Sequence, residues 1–215
     1  QPEAFEMIQR KGERSFLVRL DDKLRKLGII EVLRKGVKHF DKTVDLFFHQ
    51  PSSNYNTKDL DKYNANIFSV TQELVYSSDN ANRLDLTLFL NGLPIITCEL
   101  KNPLSGQTVH NGIRQYQNDR DPKEKIFSFA RCMVHFAADT ELVFMSTHLN
   151  HKKTFFLPFN KGLNEGKPVS PFGAGNPVNP QGLKTHYLWE EILTKHSLSN
   201  IIYKFAQVVE ETDEE

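Results

Sequence analysis

Residues Arg83–Asn102, RLDLTLFLNGLPIITCELKN, decide how this chain folds. From Leu84 to Leu90 the residues Asp85, Thr87 and Phe89 alternate with leucines, the two-residue period of a strand with distinct faces. Asn91-Gly92 then predicts a tight hairpin, because a type I′ turn needs positive φ at both central positions. Leu93–Leu100 is almost wholly apolar and reads as a strand buried on both faces, with Pro94 tolerated at its start because it has no amide to donate. Residues two apart on a strand share a face, so Glu99 and Lys101 point one way and Leu100 turns back to the core. Simple counting from the turn sets Asp85 opposite Cys98, beside Glu99, and a one-residue bulge or a diagonal contact brings the two carboxylates within reach of one ion. Folding alone does not favour such charges against a core, where an isolated buried ion costs on the order of several kcal/mol. A divalent cation would relieve that cost.

Asp85, a hairpin and then Glu99-Leu100-Lys101 form a constellation that resembles the core of the PD-(D/E)XK nucleases. The ordered series that follows, NGIRQYQNDRDP, FARCMVHFA, TFFLPFNKG, GAGNP and HYLWEEIL, narrows the resemblance to the N-terminal endonuclease region of the type I restriction enzyme R subunit (HsdR). The resemblance implies an α/β fold with a mixed central sheet flanked by helices, and Mg²⁺-dependent hydrolysis of double-stranded DNA. It further implies that Asp85 and Glu99 bind one or two Mg²⁺, that the Leu100 carbonyl completes the coordination, and that Lys101 orients the attacking water. In this family the helix after Glu-x-Lys carries a Gln and a Tyr, commonly four apart, that face the hairpin and DNA. Here Gly112 stands four before Tyr116 and Gln115 directly precedes it; adjacent helical residues diverge by about 100°. Gln115 and Tyr116 are therefore assigned to DNA binding or helix support, with a spacing that departs from the family's. Modification and specificity subunits and an ATP-driven motor domain are the implied partners. No Gly-x-x-x-x-Gly-Lys-Ser/Thr occurs in the sequence, so ATP would be handled outside this chain.

Composition fits one domain, residues 1–209, followed by an acidic linker or tail at 210–215. At 215 residues and 39% hydrophobic content the chain can bury a core of ordinary size. Lys plus Arg and Asp plus Glu are 27 each, so the net charge is zero. A protein that grips DNA alone is expected to be basic; here positive charge is either gathered on one face or supplied by other subunits. Cys98 and Cys132 have neither disulfide nor zinc-site spacing and read as core residues, which points to a reducing, cytoplasmic setting. No run of 18 apolar residues and no signal-peptide pattern occurs, so no membrane association is expected. The start at Gln1 and the acidic end are read as those of a fragment of a longer subunit. The rival from a different class is a non-catalytic DNA-binding or subunit-docking module that keeps the nuclease fold.

Around the hairpin, helical periodicity runs from Pro2 to Phe40, with a break at Gly28 and a stop near Gly36. Arg34, Lys35 and Lys38 there form either a solvated helix face or a DNA contact. Tyr55 and Tyr63, interleaved with Lys58 and Lys62, either stack on nucleic acid or pack a loop and short helix. Ile67–Tyr76 reads as an entering strand, and its Glu73 as either a further metal carboxylate or a surface residue of an edge strand. A helix is expected over about 107–118, a charged turn over 119–125, and strands at 132–137, 141–146 and 155–159. His135 in the first of these strands is read as a hydrogen-bonded structural residue. Residues 162–182 read as a long loop, and helices at 186–193 and 198–209 are expected to cover the sheet.

Overall fold

A computed structural model describes residues 1–53, 55–162 and 175–209. Most of the expected 162–182 loop and the acidic 210–215 segment therefore lie outside the described residues. Helices α1 (Pro2–Lys11) and α2 (Glu13–Lys35) precede a small antiparallel hairpin, β1 (Val37–His39) and β2 (Lys42–Val44). Helical reading thus holds to Lys35 and fails beyond it: Gly36, at φ 65, turns the chain into a strand whose Val37 is buried. After α3 (Thr57–Asn64) comes a six-stranded sheet in sequential order. Its strands are β3 (Phe68–Val75), β4 (Arg83–Leu90), β5 (Leu93–Leu100), β6 (Val134–Ala138), β7 (Val143–Ser146) and β8 (Leu157–Pro158). Among the described strands of this sheet only β5 and β6 pair in parallel, and the crossover between them carries α4 (Val109–Asn118).

The sheet is mixed and flanked by helices. On one face Ile96, Cys98 and Phe136 pack against Ile29, Ile30 and Leu33 of α2 and against Leu198 and Ile202 near the C-terminus. On the other, Ala137 and Phe144 pack with Val109 and Tyr116 of α4. The C-terminal helices are shorter than the periodicity suggests: a π turn at Leu188–Ile192, then α5 (Lys195–Asn200) running into a second π turn at Ile201–Phe205. Arg34 donates to the carbonyls of Ile202 and Ala206 at 2.7 and 2.6 Å, so this member of the basic run ties α2 to the last turn. Tyr63 is buried beneath the Lys195 ammonium, 4.9 Å from its ring centre, and packs α3, whereas Tyr55 is fully exposed.

The break expected at Gly28 is present as a kink within α2, with φ 75 and ψ 168. There Ile29 donates its amide to the Ala130 carbonyl at 2.8 Å, and a β-carbon on Gly28 would lie 2.8 Å from that of Ala130. Gly28→Ala is expected to cost about 2–3 kcal/mol, from a strained positive φ and an overpacked contact. In a thermal melt that is a drop of roughly 4–12 °C for a chain of this size.

Candidate active site

The hairpin turns where expected, with Asn91 at φ 49 and Gly92 at φ 83. Its register is not the simple one. Phe89 pairs with Pro94 but Leu88 pairs with Ile96, leaving Ile95 as the extra residue of a bulge. Pro94 has no amide for the ladder, and the Ile95 carbonyl instead accepts the Met133 amide at 2.8 Å. Past the bulge Leu86 lies opposite Cys98, so the register carries Asp85 across from Glu99 rather than Cys98. One residue of slip thus sets the two carboxylates face to face.

Asp85 Oδ2 accepts the Leu100 amide at 2.6 Å and lies 3.4 Å from Lys101 Nζ. That ammonium is also 3.6 Å from Glu99 Oε2. The two carboxylate oxygens are therefore no more than about 7 Å apart, the two ammonium distances laid end to end. Side-chain exposure falls from 29% at Asp85 to 10% at Lys101 and zero at Glu99, so the triad runs from the surface at Asp85 inward to a fully buried Glu99. The Lys101 amide donates to the Ala138 carbonyl at 2.8 Å, fixing the strand end that presents it. Leu100 is half-buried and packs on the α2 side of the sheet, as the alternation requires. Its amide, rather than its carbonyl, makes the contact with Asp85.

A fourth charged residue completes the cluster. Arg120, 3% exposed, donates from Nε and Nη2 to Glu99 Oε1 at 2.8 and 2.6 Å. Read along the sequence it belongs to a charged turn, DRDPKEK, which hid it. The available signal was spacing: Gly112, Tyr116 and Arg120 recur every four residues, one stripe along α4 and its exit. Gly112 lets the helix approach, since a β-carbon there would sit 3.3 Å from that of Ala137 and 3.5 Å from that of Glu99. Tyr116 is fully buried, and its hydroxyl and Thr97 Oγ1 are 2.8 Å apart. Thr97 also meets His135 Nδ1 at 2.7 Å; burial pushes this histidine down to about 3, a neutral structural residue as expected. Gln115 is half-buried on the adjacent face of α4. Glu73 is exposed and pairs with Arg83 at 3.9 Å, which fits the edge-strand alternative. Cys98 and Cys132 are free and buried, and burial pushes the Cys132 thiol up to about 12.

Burial pushes Glu99 up to about 7, against the opposing pull of the Arg120 guanidinium. The folded state then binds this proton more tightly than the unfolded chain does. Its contribution to stability is full below the ordinary carboxylate range and is lost as pH rises through about 7. Urea unfolding at pH 5 and pH 8 should show wild type losing up to about 3 kcal/mol relative to Glu99→Gln between the two. Parallel pH curves would show that Glu99 titrates normally.

The sequence profile described as "Type I restriction enzyme R protein N terminus" matches residues 6–154, which contain the hairpin, α4 and Arg120. This chain belongs to that family. It is also similar to the "Putative type I restriction enzyme MjaVIIIP endonuclease subunit" of Methanocaldococcus jannaschii, 29% identical over 145 residues. That match covers 66% of this chain and 13% of the relative, so this R-protein N-terminal chain spans a small part of the relative's length. Among the described residues no helix is long and apolar enough to cross a membrane.

Proposed function

We propose that this chain is the PD-(D/E)XK-type, Mg²⁺-dependent endonuclease domain of a type I restriction R subunit, hydrolysing phosphodiester bonds of double-stranded DNA. The observation that carries the reading is the juxtaposition of Asp85, Glu99 and Lys101 at the end of the bulged hairpin. Glu99 Oε2 is buried and accepts no hydrogen bond, an unpartnered carboxyl oxygen beside a second carboxylate that suits a hard cation. Asp85 and Glu99 would hold the ion, with the Leu100 carbonyl as the third protein ligand. A bound Mg²⁺ supplies Lewis acidity toward water and a phosphate oxygen near neutral pH. Lys101 then orients the water for in-line attack and stabilises charge growing on the phosphate. One P–O bond forms, the opposite one breaks, and the departing oxygen takes a proton. The modification and specificity subunits, and a motor domain outside residues 1–215, would bring the DNA; zero net charge supports that division, because phosphate contacts dominate affinity for a duplex.

One observation favours a non-catalytic docking or DNA-binding module instead. Among the described residues, no group of three or more His, Cys, Asp or Glu side chains could hold a metal. Crystals soaked in Mn²⁺ separate the two readings. The nuclease reading expects anomalous density between Asp85 and Glu99, with Lys101 displaced from between them; soaked crystals that bind Mn²⁺ nowhere near these residues would favour the docking module.

A further inference from the structure

Arg120 meets more of the fold than a charge partner requires. Nη2 donates to the Arg83 carbonyl at 2.7 Å and Nη1 to the Tyr76 hydroxyl at 3.2 Å, in addition to the two bonds on Glu99. Tyr76 is itself held edge-on against Phe127, with ring centres 4.8 Å apart. The end of β3, the start of β4 and the exit of α4 thus converge through one guanidinium on one carboxylate.

The placement of those bonds is informative. A guanidinium that pairs with a carboxylate for its charge alone is free to take the bidentate form, one nitrogen to each oxygen. Here both Nε and Nη2 fall on Oε1, and Oε2 is left without a hydrogen bond, 3.6 Å from Lys101. We propose that Arg120 is the positioning residue of this site: by fixing Oε1 it sets the rotation of the Glu99 carboxylate and presents Oε2, bare, to a divalent cation shared with Asp85. This rests on the nuclease reading, and deepens it by assigning a role to a residue outside the Asp85, Glu99 and Lys101 set. Partners that orient a ligating carboxylate matter to affinity nearly as much as the ligands themselves.

The test is Mn²⁺ titrated into the 215-residue chain and followed by the electron paramagnetic resonance of the free ion, beside a thermal melt of each variant. Wild type and Glu99→Ala come first: equal Mn²⁺ binding by the two would sink the nuclease reading, and this proposal with it. If Glu99→Ala alone loses the ion, Arg120→Lys and Arg120→Ala are expected to bind Mn²⁺ about 10- to 100-fold more weakly. Arg120→Lys keeps the charge but cannot make the paired bonds to Oε1 together with that to Arg83. Tyr76→Phe, which removes a single hydroxyl, is expected to weaken binding a few-fold and carries the test if Arg120→Ala does not fold. A role in charge balance only would make Arg120→Ala bind more tightly and leave Arg120→Lys at the wild-type value. A purely structural role would lower the melting temperature of the variants at unchanged Mn²⁺ affinity. Either result overturns the proposal.

Discussion

Glu99→Ala in an assembled type I enzyme is expected to lose DNA cleavage by about 10³-fold or more while ATP hydrolysis and translocation continue at the wild-type rate. Asp85→Ala and Lys101→Ala should behave alike, because the proposed mechanism sets all three neighbouring groups on one phosphodiester: two carboxylates for the cation and one ammonium for the water and the developing charge. Removing any one leaves the others without the geometry that makes them useful, so the double variants should be no worse than the singles. ATP would be spared for a simpler reason, since no phosphate-binding glycine loop occurs in this sequence. The 215-residue chain by itself, lacking any excess of basic residues, is expected to cut poorly and to lose DNA steeply with added salt. Plasmid linearisation and ATPase assays on the same preparations check both halves. A Glu99→Ala enzyme that still linearised a plasmid bearing target sites would refute the catalytic assignment.

Arg120→Met should produce the largest loss of stability among single substitutions in the site. Removing the closer partner of a buried ion pair leaves Glu99 with Lys101 alone, 3.6 Å from Oε2, and costs up to about 3–5 kcal/mol, equivalent to roughly 6–20 °C in melting temperature here. Glu99 has one escape, which is to take up a proton. Burial already pushes it to about 7 with the guanidinium in place, so without Arg120 the carboxyl is expected to stay protonated to higher pH. The cost should accordingly be greatest in alkaline buffer and smaller near pH 5. Adding Glu99→Leu to Arg120→Met removes the stranded charge altogether and should restore at least half of the lost stability, with the Arg83 carbonyl and Tyr76 hydroxyl left to find other partners. Calorimetry on the two singles and the double at pH 8 gives the coupling directly. Additive losses in the double would mean that Arg120 is held by its contacts to Tyr76 and Arg83 more than by Glu99.

Several elements were legible because their causes are local. Asn91-Gly92 adopts positive φ at both positions since few other residue pairs tolerate it, and the hairpin follows. Glu99 and Lys101 share a side because strand period is two, and Gly28 breaks its helix because only glycine fits a positive φ pressed against Ala130. The series of segments that resembles the R-subunit endonuclease region begins inside the family match over residues 6–154, which contains the hairpin and α4, and runs on past it to Leu193. By itself, then, the sequence determined the hairpin, the triad's composition and the family.

What only the tertiary structure decided depends on partners far apart in the chain. The bulge at Ile95 lies beside Pro94, which offers no donor, and the Ile95 carbonyl accepts the Met133 amide from the β6 side; no pattern within Leu93–Leu100 reports Met133. That bulge, not the alternation, sets Asp85 across from Glu99. Arg120 reads as one charge among several in a surface turn until α4 packs through Gly112 onto the sheet and lowers the guanidinium onto Glu99, 21 residues earlier. Periodicity records which way a side chain leaves its own backbone; it carries no information about which distant charge will be buried beside it. The burial of Glu99, and with it the chemistry available to the site, was settled by that long-range packing.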